Sequence, residues 1–329
     1  KHFTPDAAQA AQCAVLEFEG VYHNAEVHLN GEKIASCPYG YSDFYADLTG
    51  KLLPGRDNVL EVIAHNADQP NSRWYSGAGI YRPVTLWTAP ARHILPDGVQ
   101  VRTLSIDPAE VEVTVQTTAS GAVAVAILDG EQTVATAQAE SNGKAVLQVQ
   151  IPNAKLWSPD SPALYRCRAM FGDDCAETTF GVRTLSWGDD GFLLNGKRVI
   201  LLGDCVHHDH GVLGACCYPE AEERKVRLLQ KVGYNAVRCA HNPCSKAFLD
   251  ACDRLGMLVM DEYADMWYIH KTQYDYAGYL PDHWRQDLES IVRKDYSHPS
   301  VIMYSIGNEV AETAQTRGIA LTKQMTEHM

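Results

Sequence analysis

Apolar and polar residues alternate in short runs from residue 14 to about residue 90: VLEF (15–18), AEVHLNGEKIAS (25–36), NVLEVIAHN (58–66) and YRPVTLW (81–87). A period of two is the signature of strands with one buried face. Asn30-Gly31 inside the second run predicts a hairpin with a two-residue primed turn. Residues 1–91 therefore read as an all-β sandwich. The segment NSRWYSGAGIYR (71–82) breaks the alternation, being Gly-rich and aromatic, and is too irregular for a strand interior.

A second β region occupies 92–186. VEVTV (111–115), AVAVAIL (122–128) and AVLQVQI (145–151) predict three separate strands divided by Gly, Asn or Asp. ALYRCRAMF (163–171) resumes the pattern after the Pro-rich break LWSPDSPALY, and FGVRTLSW (180–187) closes it. Strands at this spacing indicate an immunoglobulin-like sandwich.

After Trp187 the grammar changes. A hairpin-like GFLLNGKRV leads to VILLGDC (199–205), NAVRCA (235–240), MLVMDE (257–262) and SVIMYSIGNE (300–309). Helix-patterned EAEERKVRLLQKVG, SKAFLDACDRLG and HWRQDLESIVRKDYS separate these runs. The strands are apolar on both faces, as in a parallel sheet covered by helices. His207 and His208, Arg238 and His241, and Asn308 and Glu309 follow three of the four strands. In a (β/α)8 barrel those strand ends share the face that carries active sites. Residues 187–329 are little more than half of the roughly 250 in a typical barrel, so about four β/α units are expected.

Composition narrows the partners. The chain has 329 residues, 46% hydrophobic and 21% charged, with a net charge of −13. That charge disfavours nucleic acid or anionic lipid as a main partner, and no apolar window approaches the about 18 residues of a membrane span. A neutral polar small molecule fits better. Ten cysteines occur without a C-x-x-C pair, and neighbouring Cys216 and Cys217 cannot easily bridge each other. Scattered free thiols lean toward a reducing, cytoplasmic compartment. The chain begins with Lys rather than Met and shows no signal-like segment, so its natural N-terminus is expected to lie upstream.

A strand that ends in Gly307-Asn308-Glu309 places a carboxylate at a barrel rim. Partial desolvation there, or a second carboxylate nearby, raises a carboxyl pKa and lets it hold a proton at neutral pH. A general acid for glycosidic cleavage needs that property, with a nucleophile carboxylate about 5 to 5.5 Å away in the retaining mechanism. Asn308 adds an amide able to bond a sugar hydroxyl. A strand-end Glu that pairs with an Arg or caps the next helix explains the same spacing equally well.

SIGNEV with HPSVIMYS before it resembles the acid/base motif of glycoside hydrolase family two, the β-galactosidase, β-glucuronidase and β-mannosidase family. FEGVYHNAEVHLNG and SRWYSGAGIYRPV resemble its sugar-binding jelly-roll domain, and FGVRTLSW the exit from its immunoglobulin-like domain. LNGKRVILLGDCVHHDHGVLG, NAVRCAHNP and LVMDE resemble its barrel entry and first three strands. The likeness covers nearly the whole chain, with HHDHGVLG and DEYADMW nearest the β-galactosidase branch. It implies Glu309 as acid/base and Asn308 as ligand of the sugar 2-hydroxyl. His207 and His241 would contact substrate hydroxyls, and Arg238 would hold the nucleophile ionised. For the two histidines the bland alternative is satisfied core imidazoles; for Arg238 it is an ion pair with Asp261 or Glu262.

Three departures qualify the likeness. Ser297 stands where the family usually has Asn before His298-Pro299-Ser300. Met266 and Trp267 occupy the region where magnesium-dependent members carry Glu and His, so no metal or other cofactor is expected. The family nucleophile ends the seventh barrel strand, which implies that these residues are the N-terminal part of a longer enzyme, inactive alone and compatible with homo-oligomers when complete. The implied substrate is a β-galactoside or small oligosaccharide.

Two rivals remain. His208 and His210 form an H-x-H after a barrel strand, the arrangement of metal-dependent amidohydrolases. Alternatively, Trp74, Tyr75 and Tyr81 with Arg73 give the first sandwich a lectin-like sugar site, or else pack it against the barrel.

Overall fold

The computed structural model describes residues 1–329. The N-terminal region has a four-stranded sheet, in spatial order His2–Phe3, Asn58–Ala64, Ala25–Leu29 and Glu32–Cys37, and a three-stranded sheet of Phe44–Asp47, Cys13–Phe18 and Val84–Ala89. Alternation decides which side chains meet: Ala25, Val27 and Leu29 from one sheet and Ala14, Leu16 and Phe18 from the other all enter one core. Asn30 and Gly31 both have positive φ, 53° and 84°, as the primed turn requires.

The middle region departs from the expected strand boundaries. Residues Ala109–Asp129 form one strand of 21 residues rather than two, and Gln132–Gln150 is likewise continuous. The register shifts between Gln116 and Ser120, where the long strand bends. Its first half pairs with Ile94–Ile106 and its second with Tyr165–Phe171. Val111, Val113, Val115, Val123, Val125 and Ile127 consequently line one core. Gly121, where a break was expected, is thus inside a strand, paired with Ser141 just past the register shift, a position that tolerates glycine.

From Leu185 the chain makes a hairpin, Leu185–Gly188 with Gly191–Leu194, and then enters a parallel sheet ordered Gly203–Val206, Ala236–Cys239, Leu258–Glu262 and Val301–Ser305. Helices Pro219–Lys231, Lys246–Leu255, Leu280–Asp295 and Thr316–His328 alternate with these strands. Local signals set their ends. Ser245 accepts a hydrogen bond from the Phe248 amide as N-cap, and Gly256 closes the same helix at φ 77°, where a Cβ would cost energy. No helix is long and apolar enough to cross a membrane.

The three regions are packed on one another. Tyr263, Trp267, Trp284 and Leu288 of the α/β region belong to the same apolar core as Phe18 and Val27 of the first sandwich. Across that seam Tyr39 donates to the Tyr263 carbonyl and the Arg82 guanidinium to the Pro243 carbonyl. The middle region is tied down by the Trp157 indole, which donates 2.9 Å to the Asp253 carbonyl, and by Arg183, which donates to the carbonyls of Pro299 and Val301. Ser297 accepts from the Val101 amide, so this departure from the family motif serves the same seam.

Candidate active site

The four parallel strands end on one side, and the irregular segment 71–82 of the first sandwich reaches over that side. Two linked clusters result.

The inner cluster is built on Glu262, the last residue of the third parallel strand, whose side chain is wholly buried. Arg238 Nη2 donates to Glu262 Oε2 at 2.6 Å and Nε at 3.0 Å. Ser305 Oγ donates to the same oxygen at 2.6 Å. His241 Nδ1 lies 2.6 Å from Oε1, which puts its proton on Nδ1 and leaves Nε2 as the free nitrogen. Above it, the Trp74 ring sits 4.9 Å from the His241 ring and 5.4 Å from that of His207, and the two imidazoles are edge to face at 5.6 Å. His207 Nδ1 is buried without a partner. Burial, and then the neighbouring His241, lower its pKa, so it stays neutral.

The outer cluster is built on Asp265, also buried. Arg73 grips it with Nε at 2.9 Å and Nη2 at 2.5 Å, Lys271 donates at 3.0 Å, and Asn308 Nδ2 at 2.8 Å. The other end of the Asn308 amide, Oδ1, accepts from Arg238 Nη2 at 2.9 Å, which joins the two clusters. Despite its buried, charged surroundings, the Asp265 carboxyl is held below its ordinary range by these three donors, Arg73 foremost.

Glu309 follows. Gly307 before it has no room for a side chain: a Cβ would stand 2.8 Å from Trp267 Nε1, which donates to the Ile306 carbonyl. Glu309 has φ 47°, uncommon for a residue with a side chain and frequent at functional turns. Its carboxylate points outward, 67% exposed, and accepts from Arg73 Nη1 at 2.9 Å. The expected desolvated carboxyl with a raised pKa is therefore not what this arrangement gives. The Arg73 hydrogen bond and charge lower the Glu309 pKa, and water rather than protein surrounds the rest.

Arg238 pairs with Glu262; Asp261, the other candidate, bonds Lys294 and the Cys244 amide instead. Asn308 is 5% exposed and has both amide ends engaged, so a sugar hydroxyl would meet its remaining N–H. His208 and His210 do not converge: His208 meets the Asn242 carbonyl and His210 meets Glu222, and neither belongs to a group of metal-ligand atoms. Tyr81 is buried in the sandwich core with its hydroxyl on the Gly40 carbonyl, which removes it as a stacking face, while Trp74 and Arg73 pack toward the barrel. Tyr75 alone of the three aromatics is widely exposed. Met266 and Trp267 are both buried and present no oxygen ligand. Asp265, Lys271 and the reach of Arg73 were not read from the sequence; the irregularity of 71–82 was the available signal for the last.

Residues 186–328 match the family profile of the glycosyl hydrolases family 2 TIM barrel domain, and residues 97–183 match that of glycosyl hydrolases family 2. A β-galactosidase of Bacteroides ovatus is 40% identical over 95% of this chain, which spans 39% of that protein's length. A putative β-glucuronidase of Formosa agariphila is 33% identical over 99% of this chain and is spanned to 33% of its length. Among solved structures, a glycosyl hydrolase family 2 member from Bacteroides cellulosilyticus superposes over the whole chain with TM-score 0.94 at 38% identity, this chain covering 45% of it. The two profiles together take in most of the sequence, the likeness extends through all three regions, and the chain belongs to glycosyl hydrolases family 2.

Proposed function

We propose that this chain carries the acid/base half of a retaining exo-glycosidase that releases terminal β-D-galactosyl residues, with its two β regions being the family's jelly-roll and immunoglobulin-like sandwiches. The observation that carries the reading is the position of Glu309. It is the one carboxylate of the two clusters open to solvent, and its neighbour Asn308 is locked to Arg238 and Asp265. A leaving-group oxygen can approach it while the groups beneath stay fixed.

In the first step the Glu309 carboxylic acid gives its proton to the glycosidic oxygen as the C–O bond breaks and a nucleophile carboxylate takes the anomeric carbon. In the second, ionised Glu309 removes a proton from water, which displaces that carboxylate. On this reading the nucleophile is the carboxylate that the family resemblance puts at the end of a seventh barrel strand; this chain spans 39% and 45% of the length of two relatives. Arg238 Nη1 donates to Cys205 Sγ at 3.8 Å and keeps its second N–H to hold that nucleophile ionised. His241 Nε2 and His207 face substrate hydroxyls.

The galactoside reading rests on the β-galactosidase relative at 40% identity. Among these residues the cations beside Glu309, Arg73 and Lys271, are both engaged by Asp265. Assay of the complete enzyme on 4-nitrophenyl β-galactoside, glucuronide and mannoside tests this. The galactoside is expected to give the highest kcat/KM; a higher value for the glucuronide would overturn the assignment.

A further inference from the structure

One guanidinium joins two carboxylates that belong to different parts of the site. Arg73 sits in the first sandwich, 192 residues before Asp265 and 236 before Glu309. Its Nε and Nη2 edge is fixed on buried Asp265, and only Nη1 turns to Glu309. The fixed edge is anchored twice more, because Lys271 and Asn308 hold the same carboxylate. Lys271 also donates 2.6 Å to the Asn308 carbonyl, immediately before Glu309 in the chain. The Trp74 ring, next in sequence to Arg73, is wedged over His207 and His241 and keeps the segment down.

We infer that Arg73 is a positioning residue for the reaction. Held by Asp265, it aims the Glu309 carboxylate at the mouth and sets the charge that this carboxylate carries between its acid and base duties. The inference rests on the acid/base reading of Glu309 given above. A bidentate fork is rigid where a lysine is a movable point charge, so the geometry serves aim as well as charge. Three charged groups face Glu309: Arg73 and Lys271, which favour its ionised form, and Asp265, which opposes them. The arrangement favours the base step at the expense of the acid step. It also makes the first sandwich part of the catalytic apparatus rather than an appendage.

The test is the pH profile of kcat/KM in the complete enzyme, whose alkaline limb reports loss of the Glu309 proton. Removing the neighbouring charge lets the acid keep its proton to higher pH. Arg73→Gln should move the limb upward by about one pH unit or more. Arg73→Lys, which keeps the charge and loses the fork, should leave the limb within about half a unit while kcat falls several-fold. An unmoved limb in the glutamine variant, or a limb displaced equally in both, overturns the inference, because a merely structural arginine would change the amount of folded enzyme and not its titration. If the glutamine variant does not fold, the lysine variant decides: a limb moved by a full unit contradicts the account. Glu309→Gln in parallel separates the two claims. If it fails to act as the loss of an acid/base, both fall; if it does so act and the Arg73 limb stays still, only the positioning role falls.

Discussion

Glu262 and Glu309 stand at the same end of one parallel sheet, at the ends of neighbouring strands, and are treated in opposite ways. Glu262 is wholly buried and takes bonds from Arg238, His241 and Ser305. Glu309 is two-thirds exposed and has Arg73 alone. A buried carboxylate held by four donors from three residues orients its neighbours, whereas one at the surface with a single partner can change partner. On the proposed reading the first builds the site and the second reacts in it. Asp43, at the seam between the first sandwich and the α/β region, supplies a third case. Both its oxygens are buried without a hydrogen-bond donor, and burial pushes its pKa up to about 6 against the pull of Lys246.

Removing the buried Glu262 carboxylate has the largest expected effect on folding. Glu262→Ala leaves Arg238 and His241 facing a cavity, and a loss of about 3 kcal/mol is expected, the low end for a broken buried pair because Arg238 keeps a third of its surface in water. Urea unfolding checks it; an unchanged midpoint would mean that the cluster does not support the sheet.

Asp43→Asn should act in the other direction. The folded state binds this proton more tightly than the unfolded chain, whose ordinary value is 3.8, so wild-type stability declines as pH rises from about 4 to about 6 and is flat above. The variant should therefore be more stable at pH 7.5 by about 3 kcal/mol, with most of the gain gone near pH 4. Unfolding curves at the two pH values decide, and a gain that persists undiminished at pH 4 would exclude titration as its cause.

Glu309→Gln completes the series with no change in the unfolding midpoint, since the side chain is exposed and its one partner keeps Asp265. Treatment with EDTA should likewise leave turnover of the complete enzyme unchanged, because the reaction as proposed runs on carboxylates and Met266 and Trp267 offer a divalent ion no oxygen. A fall restored by magnesium would show that a metal serves the site.

The local features of this fold were legible because local chemistry decides them. Asn30-Gly31 could only be a tight turn, and the Ser245 and Gly256 caps bound a helix readable from its apolar spacing. The 21-residue strand was divided in two because Gly121 marks a bend as readily as a turn. Of the site, the residues on strand ends were visible as polar groups closing apolar runs. Asp265 and Lys271 were not, and Arg73 was read only as a sugar-site donor or a contact of the sandwich with the barrel, since tertiary packing brings it to Asp265 across almost 200 positions of sequence. The protonation of Glu309 was also beyond reach: whether a rim carboxylate is desolvated or salt-bridged depends on a loop from another part of the chain.

The most direct test of Glu309 as acid/base is the leaving-group dependence of the Glu309→Gln variant of the complete enzyme. A glycoside with a poor leaving group needs the proton, and its turnover should fall by about 10²- to 10⁴-fold. An activated aryl glycoside should lose far less, and azide should restore part of its turnover by replacing the water that the missing base no longer activates. Equal losses on both substrates, with no response to azide, would contradict the assignment.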